Sequence, residues 1–227
     1  MHKTLILWDI DGTILESTGA GMESLRRALD TVFGIQGSLE GIDFAGRTDP
    51  YIMREAMKRF RIEDTAANRE RYIGGYLGLL PVLMKEKGAS VLPGVLTLLQ
   101  EAAAKPDVVQ GLLTGNLRRG AEVKLGYHGL WHYFPVGAFS DDNEIRNELG
   151  PHALRRAKAH WEHDFHVDRV WIVGDTPHDI ACSRPIGAKA LAVATGKYSL
   201  AELAAHHPDV LMKDLSDTAA FWKAIGV

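Results

Sequence analysis

The chain has 227 residues, 46% of them apolar, which suits one ordinary folded core with an insertion. Its 26 Lys and Arg residues nearly balance 29 Asp and Glu residues, and this net charge of −3, without a basic block, argues against nucleic acid as a partner. No apolar run approaches a membrane span, and the first predicted strand leaves no room for a signal peptide. With its single cysteine, Cys182, the chain is expected to be cytoplasmic.

Short β-rich runs alternate with helical patterns, as in βαβ units. This alternation predicts an α/β fold with a Rossmann-like parallel sheet. In chain order, we predict strand 4–8, helices 21–33, 50–61, 66–87 and 94–104, strand 108–113, helix 118–125, strand 136–139, helix 151–161, strand 170–173, helix 177–183, strand 188–193 and helix 200–206.

Residues 16–90 interrupt the alternation, because their three predicted helices follow one another with no strand between them. Glycine-containing loops separate these helices and mark the outer boundary of the segment. The pattern predicts an inserted α-helical cap domain at 16–90. Residues 1–15 and 91–227 are then expected to form the α/β core domain.

The stretch TLILWDIDGTIL, residues 4–15, carries the most informative signal in the chain. Asp9 and Asp11 lie at the end of an apolar strand, with Ile10 between them. Burying a carboxylate there is costly, so their presence implies a compensating cation, a set of hydrogen-bond donors or a functional role. An aspartate at the end of a strand can act as a nucleophile. A second one, two residues later, can act as an acid or base or contribute to binding a hard cation.

Two later strands also end in polar residues. Thr114, Gly115 and Asn116 follow strand 108–113, and the sequence GDTPHD, 174–179, follows strand 170–173. Since ligands bind at the carboxyl ends of parallel strands, Asp9, Asp11, Thr114 and Asp175 converge if these strands are neighbours. Carboxylates packed together raise one another's pKa unless a cation neutralises them, and oxygen ligands suit Mg²⁺. The pattern therefore predicts a magnesium site.

These motifs resemble those of the haloacid dehalogenase superfamily, and especially its phosphoglycolate-phosphatase-like branch with a helical cap. The first family motif, DxDGT, matches Asp9, Asp11, Gly12 and Thr13. The second, a strand ending in Thr or Ser, matches Thr114, and the fourth, GDxxxD, matches Gly174, Asp175 and Asp179. The order and spacing of the motifs cover nearly the whole chain, and their combination is specific.

The resemblance implies a Mg²⁺-dependent phosphatase. Asp9 would attack the phosphorus of a small phosphate monoester and form an aspartyl-phosphate, which water then hydrolyses. Asp11 would protonate the leaving oxygen and later activate the water. The metal would be held by the carboxylates of Asp9 and Asp175 and by the backbone carbonyl of Asp11.

The same resemblance implies a phosphate-binding group around the nucleophile. Thr114 and Asn116 would bind the non-transferring oxygens, together with the turns that contain Gly12, Thr13 and Gly115. Asp179 would orient the neighbouring basic residue or a metal-bound water rather than bind the metal directly; a simple role in the first turn of its helix is the alternative.

The chain departs from the family at the third motif, which is usually a lysine. No lysine lies between Lys124 and Lys158, so Arg146 is the expected cation beside Asp9 and the phosphate. Lys124 and Arg118 remain alternatives for this role.

The cap is expected to select the substrate. Arg47, in the sequence GRTD at 46–49, falls where a cap loop would face the active site and pair with a second negative group, although a solvated arginine is an equally good interpretation. The main alternative function is a phosphotransferase or phosphomutase of the β-phosphoglucomutase type. A dehalogenase is disfavoured by Asp11, and a non-catalytic phosphate-binding module by the nearly complete motif set.

Overall fold

A parallel sheet forms the core of the protein, as predicted, and it has six strands where the sequence indicated five. The computed structural model describes residues 3–227. The strands in chain order are β1 (Thr4–Trp8), β2 (Leu15–Glu16), β3 (Ser90–Val91), β4 (Val108–Leu113), β5 (Gly137–Ala138), β6 (Val170–Gly174), β7 (Lys189–Val193) and β8 (Val210–Met212). The large sheet has the order β5-β4-β1-β6-β7-β8, and all its neighbouring strands are parallel. β1 therefore lies between β4 and β6.

Helices cover both faces of this sheet. They are α1 (Ala20–Phe33), α2 (Asp49–Arg59), α3 (Ala66–Lys87), α4 (Val95–Ala104), α5 (Arg118–Tyr127), α6 (Leu149–Trp161), α7 (Pro177–Ser183), α8 (Leu200–Ala204) and α9 (Thr218–Ile225). Ile6 and Trp8 of β1 share a buried cluster with residues of α4, α5 and α9, whereas Leu5 and Leu7 pack with residues of α6 and α7. Burial on both faces explains why β1 is an uninterrupted apolar run.

The predicted helical insertion consists of α1, α2 and α3, which lie between β2 and β3 in the chain. These two short strands pair antiparallel, with Leu15 opposite Val91, so the chain leaves and re-enters the core at adjacent points. Within the insertion, the buried Tyr72 hydroxyl of α3 donates a hydrogen bond to the backbone oxygen of Leu25 in α1, at 3.1 Å. Of the helices within residues 3–227, none is long and apolar enough to cross a membrane.

Several predicted boundaries were wrong by a few residues, for local reasons. The strand predicted at 136–139 contains only Gly137 and Ala138, because the Phe139 N–H donates to the Asp142 carboxylate instead, at 3.0 Å. The helix predicted at 50–61 ends at Arg59, and the left-handed backbone of Arg61 (φ 56°) prevents its continuation. Helix 200–206 likewise ends early, at Ala204.

The sequence analysis missed two small strands at the ends of the insertion, β2 and β3, and two elements at the end of the chain, β8 and α9. Each of these strands has only two or three residues, too short for a periodic pattern to appear. α9 has eight residues and is preceded by Asp217, whose carboxylate caps the helix by accepting from the Ala220 N–H. That cap followed by an apolar segment was a usable signal.

Candidate active site

Asp9 lies at the carboxyl end of β1, beside the arginine that the sequence proposed as its partner. Arg146, in a short turn just before α6, places its Nη2 atom 3.1 Å from Asp9 Oδ1. Both side chains are buried, and the same Nη2 atom also donates to Asp179. Burial raises the pKa of Asp9 to about 6, against the opposing effect of the Arg146 guanidinium.

Asp175 and Asp179 approach Asp9 from the carboxyl end of β6 and the first turn of α7. One oxygen atom from each of the three carboxylates lies within 4.8 Å of the others. Asp179 is tied into the protein, since it accepts from the Thr176 N–H at 3.0 Å and the Thr176 hydroxyl at 2.7 Å, as well as from Arg146. Asp179 is therefore in a position to orient the Arg146 guanidinium.

Asp175 has the environment of a cation ligand. It is buried, and its hydrogen-bonded neighbour is the Thr13 hydroxyl, which donates at 3.3 Å. A Cβ atom on Gly12 or Gly196 would lie 2.4 or 1.8 Å from Asp175 Oδ2, so only glycines allow the carboxylate this position. Burial and the adjacent carboxylates raise its pKa well above the ordinary value. Three close carboxylates facing one guanidinium fit a divalent cation with oxygen ligands.

Asp11 lies on the other side of the turn and contacts a different cation. Lys124 of α5 donates to Asp11 Oδ2 at 2.6 Å and to the Asn116 side-chain oxygen at 2.6 Å. Asn116 Nδ2 donates to the same Asp11 oxygen at 2.9 Å, and the Ser17 hydroxyl donates to Oδ1 at 3.0 Å. Although burial favours a higher pKa, Lys124 and these hydrogen bonds hold the pKa of Asp11 below its ordinary value. Lys124 thus pairs with Asp11, and Arg146 with Asp9.

Thr114 and its neighbours form the loop after β4. The Thr114 hydroxyl is fully buried and accepts from Asn116 Nδ2 at 2.9 Å, which fixes the amide between Thr114 and Asp11. A Cβ on Gly115 would lie 2.3 Å from the backbone oxygen of Arg47, so a side chain there would push the insertion away from the core.

The insertion touches this loop directly. The Asp49 N–H, at the start of α2, donates to the Gly115 carbonyl at 2.7 Å, and the Asp49 carboxylate accepts from the Leu117 N–H at 2.8 Å. Burial raises the pKa of this carboxyl to about 6. These bonds fix the distance between α2 and the carboxyl end of β4.

A cavity of about 470 Å³ lies between the insertion and the carboxyl ends of the strands. Eight of the predicted site residues line it, namely Asp9, Asp11, Gly12, Arg47, Gly115, Asn116, Arg146 and Asp175. The other three predicted site residues, Thr13, Thr114 and Asp179, do not line the cavity and are buried behind the residues that do. Arg47 is partly exposed, with its Nε 3.0 Å from Asp43 Oδ2, and its guanidinium lies over the Tyr51 ring. Arg118, the remaining alternative for the third motif, lies over the Phe139 ring.

The sequence analysis missed the loop after β7. There Gly196 crowds Asp175, and the Thr195 hydroxyl donates to the Gly12 carbonyl. The sequence ATGK, 194–197, follows a strand as TGN does at 114–116, so the strand-end rule that found Thr114 also applied here. Ser17 carried no comparable signal, since its contact with Asp11 depends on the path of the turn.

The comparisons with known proteins agree with this fold. The model of the haloacid dehalogenase-like hydrolase family matches residues 6–184. Pyrophosphatase PpaX from Bacillus pumilus is 26% identical over 225 residues, covering 95% of this chain and 94% of that protein. Among solved structures, a hydrolase from Pseudomonas syringae superposes with a TM-score of 0.73 at 18% identity, covering 97% of this chain and 98% of the other. A predicted phosphoglycolate phosphatase from Haemophilus somnus gives 0.69, also at 18% identity, with the same coverage. The chain belongs to the haloacid dehalogenase-like hydrolase family.

Proposed function

We propose that the protein is a Mg²⁺-dependent phosphatase that hydrolyses a small phosphate monoester through an aspartyl-phosphate at Asp9. The observation that carries this proposal is the buried Asp9 carboxylate at the end of β1, paired with Arg146 at 3.1 Å and lining the cavity. The membership of a hydrolase family and the phosphatase names of its relatives agree with it. A cytoplasmic location, compatible with the single free Cys182, is part of the proposal.

In the first step, an Asp9 oxygen attacks the phosphorus atom and the bond to the leaving oxygen breaks. Arg146 stabilises both the nucleophile and the oxygens of the transferring group, because its guanidinium is held by Asp179 and cannot swing away. The Thr114 hydroxyl and the backbone around Gly115 bind the non-transferring oxygens. The Asn116 side chain fixes this loop, because both of its Nδ2 hydrogens are donated, one to Asp11 and one to Thr114.

Asp11 moves the protons. In its protonated form it donates a proton to the leaving oxygen, and the carboxylate that remains takes a proton from the water that attacks the aspartyl-phosphate. Its carboxylate is about one-third exposed in the structure, so it remains accessible from the cavity. Lys124 and Ser17, which also line the cavity, hold its position through their hydrogen bonds.

The metal site follows from the carboxylate cluster. Mg²⁺ would be held by Asp9, by the Asp11 backbone carbonyl and by Asp175, with Asp179 orienting Arg146 from behind. When bound, the cation supplies positive charge that lets an anionic nucleophile approach an anionic phosphate.

The proposal is tested by measuring free phosphate release from a panel of phosphate esters with and without Mg²⁺. The panel includes phosphoglycolate and, because of the name of the Bacillus relative, pyrophosphate. The inactive control is Asp9→Asn. Release of free phosphate and alcohol supports the phosphatase. Rearranged esters without free phosphate would instead establish the phosphomutase, and no turnover of any ester would refute both.

A further inference from the structure

The charges lining the cavity leave little attraction for a second anionic group. Six lining residues are acidic, Asp9, Asp11, Glu16, Asp43, Asp49 and Asp175, and four are basic, Arg47, Lys124, Arg146 and Lys197. A phosphoryl dianion and one divalent cation cancel each other, so the lining keeps its excess of two acidic side chains. A further carboxylate or phosphate on the substrate would face an excess of negative side chains.

Three of the four basic side chains already pair with a carboxylate. Arg146 pairs with Asp9 and Asp179, and Lys124 donates to Asp11 and Asn116. At the rim, Arg47 pairs with Asp43 at 3.0 Å, whereas the exposed Lys197 has only the Tyr198 ring beside it, 5.8 Å from its ammonium to the ring centre. A second anion bound by Arg47, Lys124 or Arg146 would have to displace one of these partners.

Beside its charged residues, the insertion lines the cavity with a set of apolar side chains. These side chains, which we call the leaving-group wall, are Met22, Leu25, Ile42, Phe44, Ile52 and Tyr76. Most of this wall is at least partly buried, but Met22 in the first turn of α1 is 47% exposed. An exposed methionine at the mouth of a cavity offers apolar surface that a ligand can cover.

Free space lies in front of this wall. Gly19 has no atom within 4 Å of the position that a Cβ would take, and a Cβ on Gly21 would meet only Lys124 Nζ, at 3.6 Å. The start of α1 therefore leaves open space beside Lys124. A hydrocarbon group placed there would face apolar side chains and would have no polar atom to leave without a hydrogen bond.

We propose that the leaving-group wall accepts an uncharged leaving group with an aromatic or hydrocarbon body. The substrate then carries its negative charge in the transferred phosphoryl group alone. This inference rests on the proposed phosphatase function and narrows its substrate class. It replaces the expectation of a second anion bound by Arg47, because Asp43 already neutralises that side chain.

The test compares kcat/KM for phenyl phosphate and 4-carboxyphenyl phosphate, which differ by one carboxylate. The phenol released from 4-carboxyphenyl phosphate is the more acidic one and therefore the better leaving group. A higher kcat/KM for phenyl phosphate then reflects binding and not the chemistry of the leaving group. We expect the protein to prefer phenyl phosphate by about tenfold or more, as one uncompensated charge facing like charges implies. Phosphoglycolate and pyrophosphate are expected to be poor substrates.

A matched set of variants ties this preference to the wall. Met22→Lys adds a cation at an exposed position and should reduce the preference for phenyl phosphate at least tenfold. Met22→Leu should keep the preference for phenyl phosphate. Val82→Lys should keep it too, because Val82 is a similarly exposed apolar residue on α3 that does not line the cavity. The inference would be overturned if Met22→Lys showed the same preference as the wild-type protein. It would also be overturned if the wild-type protein preferred the carboxylated ester, phosphoglycolate or pyrophosphate. Either result would leave the proposed phosphatase function in place. If wild-type protein releases no phosphate from any ester, the proposed function fails and the inference falls with it.

Discussion

Replacing Arg146 with methionine perturbs the candidate site at its most crowded point. Arg146 is 7% exposed, and its guanidinium contacts both Asp9 and Asp179, with Asp175 in the same carboxylate cluster. Methionine keeps an unbranched apolar stem but is shorter than arginine and carries no positive charge. The variant therefore leaves buried carboxylates facing one another with no positive charge from residue 146.

The expected loss of stability follows from this burial. Removing one partner of a buried ion pair costs about 3–5 kcal/mol, because the remaining charge has no compensation. Two carboxylates lose the same partner here, but Asp9 already has a raised pKa and can relieve the repulsion by binding a proton. We therefore expect the free energy of unfolding of the metal-free protein to fall by about 3 kcal/mol. Saturating Mg²⁺ should recover part of the loss.

The expected loss of activity is larger than a packing defect would produce. An arginine that stabilises a transferring phosphoryl group contributes about 10³ to 10⁵ in kcat. We expect at least a hundredfold fall, equivalent to about 2.7 kcal/mol of transition-state stabilisation. Arg146→Lys keeps the charge but has no planar fork to hold both carboxylates, so it should retain an intermediate activity.

The assay combines urea denaturation, with chelator and with Mg²⁺, and phosphate release from phenyl phosphate at saturating substrate. Arg156→Met is the matched control, since Arg156 pairs with Asp142 nearer the surface, with its side chain about one-third exposed. That variant should lose less than about 1 kcal/mol and keep its kcat. An Arg146→Met protein within fivefold of wild-type kcat would refute the role assigned to Arg146.

Three further predictions concern the nucleophile, the metal and the second cation. Asp9→Asn should lower kcat about a thousandfold or more while the far-UV spectrum stays unchanged; comparable activity in the purified, metal-loaded variant would exclude Asp9 as the nucleophile. Chelation should abolish phosphate release, and Mg²⁺ but not Ca²⁺ should restore it, because Ca²⁺ prefers more ligands at longer distances; full activity after thorough chelation would contradict the metal site. Lys124→Met should lower kcat about tenfold, less than Arg146→Met, since Lys124 contacts Asp11 and not Asp9; the reverse ranking would transfer the third-motif role to Lys124.

The parallel sheet followed from rules that act along the chain, whereas the order of its strands did not. A continuous apolar run such as residues 4–8 belongs in the interior of a parallel sheet, and polar residues at strand ends meet at one edge. These rules predicted that Asp9, Thr114 and Asp175 converge if their strands are neighbours, and the structure supplies that order. Arg146 came from the family pattern, as the cation nearest the missing lysine.

Pairings between distant side chains were beyond the same rules. Lys124 lies on α5, and its contact with Asp11 depends on how that helix crosses the carboxyl end of β1. The bonds between Asp49 and the loop after β4 likewise depend on where the insertion packs. The leaving-group wall could not be predicted from the sequence, because Leu25 and Ile52 have the spacing of residues that pack into the core from one face of a helix. Only the packed structure shows which core residues border a cavity.

The central claim is that Asp9 carries the phosphoryl group during turnover. Its most direct test is to quench the Mg²⁺-loaded enzyme with acid during hydrolysis of phenyl phosphate, reduce the protein with borohydride and map the modified residue by mass spectrometry. Borohydride reduces an acyl phosphate at Asp9 to homoserine. We therefore expect homoserine at position 9 and unmodified Asp11 and Asp175. Phosphate release with no homoserine at position 9, or homoserine at another aspartate, would contradict it.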